Sequence, residues 1–205
     1  NVASNENMGL KVLNSSAISS LTVAADTYLK IKDGKKFSGA TEIAEDTTLI
    51  LRDTGTFGST LNLKGTLQAI ANLEVSGLIS VGGDSAISIP SAEKTLIYSG
   101  GDLDVGANTL SIEGAGTLGN SSDSALVLDV ADSILDLTGS GTVSGPVKLE
   151  SGTLKSSGSP TISGAITQSA AATIEVSTDQ TLTYSGAALN LGANTLTMSG
   201  GGTLS

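Results

Sequence analysis

Apolar residues along this chain come in pairs with one polar residue between them, and the pairs recur at short, even intervals. Leu21-Thr22-Val23, Leu29-Lys30-Ile31, Leu49-Ile50-Leu51, Leu61-Asn62-Leu63, Leu73-Glu74-Val75, Leu103-Asp104-Val105, Leu110-Ser111-Ile112, Val147-Lys148-Leu149, Ile174-Glu175-Val176, Leu189-Asn190-Leu191 and Leu196-Thr197-Met198 share the pattern. Side chains alternate across a strand, so each triad buries its outer two residues and leaves the middle one in water. Triads starting at Leu96, Leu103, Leu110 and Leu118 are seven to eight residues apart, and Leu182, Leu189, Leu196 and Leu204 repeat that spacing. Gly, Ser, Asn and Asp fill the gaps, the residues that tolerate tight bends. Strands this short, joined by bends of four or five residues, predict an all-β parallel β-solenoid with three strands per turn. Hairpins would need recurrent two-residue Asn-Gly or Asp-Gly turns, and Asp33-Gly34 is the one such pair.

A longer period lies over the short one. Thr95 to Gly119 and Thr181 to Ser205 agree at fifteen of 25 aligned positions, 86 residues apart. With turns of about 21 or 22 residues, that unit holds about four turns. Leu51, Gly55, Thr56 and Leu63 align with Leu137, Gly141, Thr142 and Leu149, and residues 21–34 resemble 103–114. The chain is therefore read as a single solenoid array over 1–205, with a partial repeat at 1–33 and full repeats at 34–119 and 120–205. At roughly 4.8 Å per rung, nine or ten turns make a rod about 45 Å long.

Composition narrows the picture. Apolar residues make up 39% of the chain, yet there are two Phe, three Tyr and no Trp. Leu, Ile, Val and Ala must fill the core, which suits a narrow coil better than a sphere. A net charge of −10 with one arginine, Arg52, argues against nucleic acid, whose phosphates need clustered cations. Absence of cysteine removes disulfides and thiolate metal sites. No run approaches the roughly 20 apolar residues that span a bilayer, so no direct membrane insertion is expected. The chain opens at Asn1 rather than Met and stops within a repeat at Ser205, which reads as a piece of something longer.

The phrases Gly106-Ala107-Asn108-Thr109-Leu110 through Gly116-Thr117-Leu118, and their echo from Gly192 to Leu204, resemble the repeats of bacterial autotransporter passengers and related surface adhesins. The resemblance implies an exported β-helix, extracellular or on the cell surface, that displays or connects functional parts. It implies a host-cell or matrix surface as partner. The membrane-anchoring barrel of an autotransporter does not occur in these residues.

Candidate chemistry is sparse. Asp102 and Asp104, in SGGDLDVG, are the candidate calcium ligands, because a hard cation needs several oxygens. The glycine-rich nonapeptide of calcium-binding β-rolls is missing, and the second copy has Ala188 and Asn190 in their places. A site needed by every unit would not lose both carboxylates, so they read as solvated turn residues, and no cofactor is expected beyond calcium held loosely. Asp26, Asp46, Asp132, Asp179, Asn108 and Asn194 precede strands and read as corner residues that bond nearby amides. Asn14-Ser15-Ser16 and Asn120-Ser121-Ser122 fit the glycosylation sequon, which carries little weight in a bacterial chain. Without His or Cys the usual nucleophile–base triads cannot form, and Tyr98 and Tyr184, at equivalent repeat positions, read as packing residues. Thr183, Thr195 and Thr197, in TxT triplets, are the candidates for a ligand face toward ice or carbohydrate.

The sequence thus predicts a non-enzymatic extracellular structural protein, a rigid stalk or passenger segment of an adhesin. The alternative is a filament or matrix subunit that stacks on copies of itself end to end. A weaker one is an ice or carbohydrate binder acting through a flat threonine face.

Overall fold

The computed structural model describes residues 9–13, 18–121, 124–189, 191 and 193–205. Among them every regular element is a strand, and the strands stack in parallel as a β-solenoid of about nine turns. The all-β, three-sided coil predicted from the triads is the fold. Leu189-Asn190-Leu191 is the exception, since Asn190 lies outside the described residues.

Each turn visits three faces in fixed order. The first face is a ten-stranded sheet running from Gly9–Val12 to Leu196–Ser199, and the second is nine-stranded, from Lys36–Phe37 to Thr203–Leu204. The third face is divided. Its first block pairs Ser20–Val23, Ala40–Ile43, Leu61–Leu63 and Ile79–Val81. Its second block pairs Leu103–Asp104, Leu126–Leu128, Val147–Leu149 and Ile166–Gln168.

Registers show how the triads become a core. On the first face Leu110, Leu135, Leu154 and Ile174 stack in one inward column. On the second, Leu73, Leu96, Leu118, Val143 and Ile162 do the same. Leu103, Leu126, Val147 and Ile166 line the third. All are buried, and each such side chain contributes about 1.5–3 kcal/mol relative to exposure. Phe37 and Phe57 stack at 5.6 Å between ring centroids in the early turns. Ser85 and Ser156 interrupt the first-face columns with polar groups, and Ser156 donates its hydroxyl to the Gly158 carbonyl at 2.9 Å.

Turn length varies more than the sequence suggested. Leu49 pairs with Leu67, 18 residues on, while Leu110 pairs with Leu135, 25 residues on. The additional residues sit in corners, where a coil absorbs them without disturbing register. Corners also bring rungs into close backbone contact. A Cβ at Gly164 would overlap the Gly145 carbonyl oxygen of the rung below, so that corner requires glycine. Thr95 and Thr181 lie on the second face four strands apart, so the 86-residue period spans four turns.

Candidate functional site

The division of the third face has a chemical basis in two tyrosines. Successive third-face strands donate an N–H to a carbonyl of the following rung: Thr41 to Thr60, Leu61 to Leu78, Leu103 to Ala125, Leu126 to Pro146 and Val147 to Ala165. At the end of each block the acceptor changes. Ile79 N–H donates to the Tyr98 hydroxyl at 3.3 Å, and Ile166 N–H to the Tyr184 hydroxyl at 3.2 Å. The corner sequences explain the switch. Val75-Ser-Gly-Leu-Ile79, Val143-Ser-Gly-Pro-Val147 and Ile162-Ser-Gly-Ala-Ile166 step four residues from the second face to the third. Tyr98 to Leu103 and Tyr184 to Leu189 step five. There the tyrosine hydroxyl takes the donor that elsewhere goes to the carbonyl of the residue just before the next third-face strand. Tyr98 is fully buried, and burial pushes its hydroxyl above the ordinary tyrosine value.

Asp102 and Asp104 sit beside this interruption, on a cleft of about 220 Å³ shared with Ile79, Ser80 and Gly106. Each of the two carboxylates has a hydrogen-bond partner of its own. Asp102 accepts the Ala125 N–H at 2.9 Å and pairs with Lys148 at 2.6 Å. The hydrogen bond from Lys148 holds its carboxyl below the usual range. Asp104 accepts the Gly106 N–H at 2.9 Å. Among the described residues no group of three or more His, Cys, Asp or Glu is gathered to hold a metal. Asn190, the counterpart of Asp104, lies outside the described residues.

The three candidate threonines do not share a face. Thr183 is on the second, in Thr181–Tyr184, where it pairs with Thr161. Thr197 is on the first, paired with Thr173, and Thr195 precedes it. Alternation places Thr183 and Thr197 outward correctly, but it cannot say which face follows which bend.

Among the corner residues, Asp26 accepts an amide as the sequence suggests, whereas Asn108 donates to carbonyls instead. Asp26 accepts the Thr48 N–H at 2.8 Å, and Asn108 donates to the Val81 and Val105 carbonyls at 3.1 and 3.2 Å. Asp46 and Asp179 take positive φ of 56° and 63°, the region that Asp tolerates better than most residues. Asp84 and Asn72 do the same work, accepting Thr109 and Thr95 amides at 2.7 and 2.9 Å. Sequence reasoning missed both, although each lies in the bend before a triad. Asn14, Ser15, Ser16 and Ser122 of the two sequons are outside the described residues.

Two further features escaped the sequence. An open cleft of about 760 Å³ follows one corner, lined by Glu45, Asp46, Lys64, Asp84 and Asn108. On the first face, Lys11, Lys30 and Arg52 stack in register on three consecutive rungs. Residues 1–64 hold seven Lys and Arg against seven Asp and Glu, so the whole net charge of −10 belongs to residues 65–205. Among the described residues no helix is long and apolar enough to cross a membrane.

Compared with models of protein families, with curated proteins and with solved structures, the chain matches none of them.

Proposed function

We propose that this chain is a rigid, non-enzymatic stalk or passenger segment of a bacterial cell-surface adhesin, working outside the cell. The observation that carries this reading is the unbroken stack. Ten first-face strands are paired in register along the coil, over inward columns that are almost wholly aliphatic. Each rung rests on its neighbours alone, so length can be added without redesigning a core. The non-enzymatic reading draws on the absence of His and Cys from the sequence. The adhesin assignment draws on the resemblance of the Gly-Ala-Asn-Thr-Leu repeats, and the partner it names is a host-cell or matrix surface.

One observation favours a second reading, a self-stacking filament or matrix subunit. Every first-face strand pairs in parallel and in register with the next, presenting the same backbone edge to a neighbour. Such an edge accepts another rung, either of the same chain or of a second copy. Electron microscopy and light scattering across a concentration series separate the readings. Monomeric rods of one length at every concentration support the stalk. Filaments with a constant axial repeat overturn it in favour of the subunit.

A further inference from the structure

We propose that the first face of the N-terminal turns is a binding site for an acidic polysaccharide, one carrying sulfate or carboxylate groups. Lys11, Lys30 and Arg52 form one outward column there, in register on the strands Gly9–Val12, Thr27–Ile31 and Thr48–Arg52. Adjacent rungs are about 4.8 Å apart, so each cation stands on a rung closer to the next than the Debye length of physiological salt. Like charges directly opposite each other weaken a sheet. Elsewhere on this face the chain avoids that cost, because Asp136, Lys155 and Glu175 alternate in sign in the equivalent ladder. Among the described residues no carboxylate pairs with Lys11, Lys30 or Arg52. Asp33 and Asp53 lie past the strand ends in corner turns, where Asp33 accepts the Thr54 hydroxyl at 3.1 Å.

The neighbouring outward column holds one of these cations in place. It runs Gly9, Tyr28, Ile50 and Gln68. A Cβ at Gly9 would fall on the Tyr28 ring, so the ring lies against that glycine. The Arg52 guanidinium rests over the same ring, 4.6 Å from its centroid. This contact fixes the cation in place before any ligand arrives. A cation on each of three successive rungs matches an extended polymer that carries an acid group on its units. The acidic remainder of the molecule, residues 65–205, repels such a polymer and confines it to this end.

The site stands whether or not the rod is a stalk, and its test reads binding rather than assembly. Purified chain is titrated against heparin fragments, with uncharged dextran as the control polymer and Lys155→Glu as a control variant on the same face. The expected result is binding to heparin and none to dextran, weakening about tenfold or more between 50 and 200 mM salt as three contacts would require. Lys30→Glu should lower heparin affinity at least tenfold with a melting temperature no lower than that of the parent, since it relieves the like-charge column. Lys11→Gln, at an exposed position, gives a milder loss and guards against misfolding of the first variant. Binding to dextran, no heparin binding at low salt, an equal loss with Lys155→Glu, or association of copies in place of polymer binding would each overturn the proposal.

Discussion

The hydroxyl of Tyr98 accepts the backbone N–H of Ile79 from the rung below, at 3.3 Å, in a place where other rungs use a carbonyl. Tyr184 repeats the arrangement with Ile166, 86 residues further along. The four-turn period is therefore a period of the third face, which runs in blocks of four strands, each closed by a tyrosine. A buried amide left without an acceptor costs about 1–3 kcal/mol. Tyr98→Phe should destabilise the fold by that amount, measured by urea unfolding, and hydrogen exchange at the Ile79 amide should speed up.

The same tyrosine gives a pH signature. Burial raises its value above the ordinary one, so the protonated form is favoured in the folded state. Its contribution to stability is complete below the unfolded value, near 10, and is lost as pH rises through the higher folded value. Unfolding measured from pH 8 to 11 should show stability falling at the alkaline end, and Tyr98→Phe should flatten the part of that slope due to this group. An unchanged slope in the variant would assign the fall to other groups.

Lys148→Met should raise the Asp102 value toward the ordinary carboxylate range, because the Lys148 hydrogen bond is the largest cause of its depression. The pair is partly exposed, so the variant should cost less than about 1 kcal/mol. Asp102 contributes stability above the ordinary carboxylate value, and the contribution is lost as pH falls through the depressed one. Titration of the Asp102 carboxyl carbon by NMR in both proteins reads the shift directly.

Gly164→Ala should destabilise by more than about 1 kcal/mol, since its methyl would overlap the Gly145 carbonyl oxygen. The clash is with backbone, which cannot swing aside as a side chain would. Gly34→Ala is the comparison: its Cβ meets nothing within 4 Å, and its strain comes from a φ of 66° alone. Thermal melts of the two variants separate close backbone approach from turn conformation.

Leu135→Ala, in the middle of an inward column, should cost about 2–5 kcal/mol. Because rungs contact chiefly their neighbours, amide exchange should accelerate most in the strands around Ile134–Leu137, with smaller effects at the distant turns. Uniform acceleration along the coil would instead mean that the array unfolds as one unit.

Sequence alone determined the coil. Alternation in triads such as Leu110-Ser111-Ile112 fixes which side chains face inward, and an aliphatic core with small residues at the bends leaves parallel stacking as the way to bury them. That the 86-residue repeat spans four turns was legible for the same reason, but the register slips by two residues over it: the column of Thr95 runs through Thr117, Thr142 and Thr161 to Thr183 and not to Thr181. What the tertiary structure decided is everything that depends on neighbours across rungs. Thr183 and Thr197 look equivalent as outward threonines, but the bends between them place them on different faces. Lys11, Lys30 and Arg52 are 19 and 22 residues apart and show no period in the sequence, yet uneven corners bring them into one column. Tyr98 reads as a packing residue until the hydrogen bond from Ile79 reveals the amide it serves. Burial follows from each strand's own alternation, whereas register is the sum of all corner lengths, and a corner can take up one residue more without any local sign of where the next strand will land.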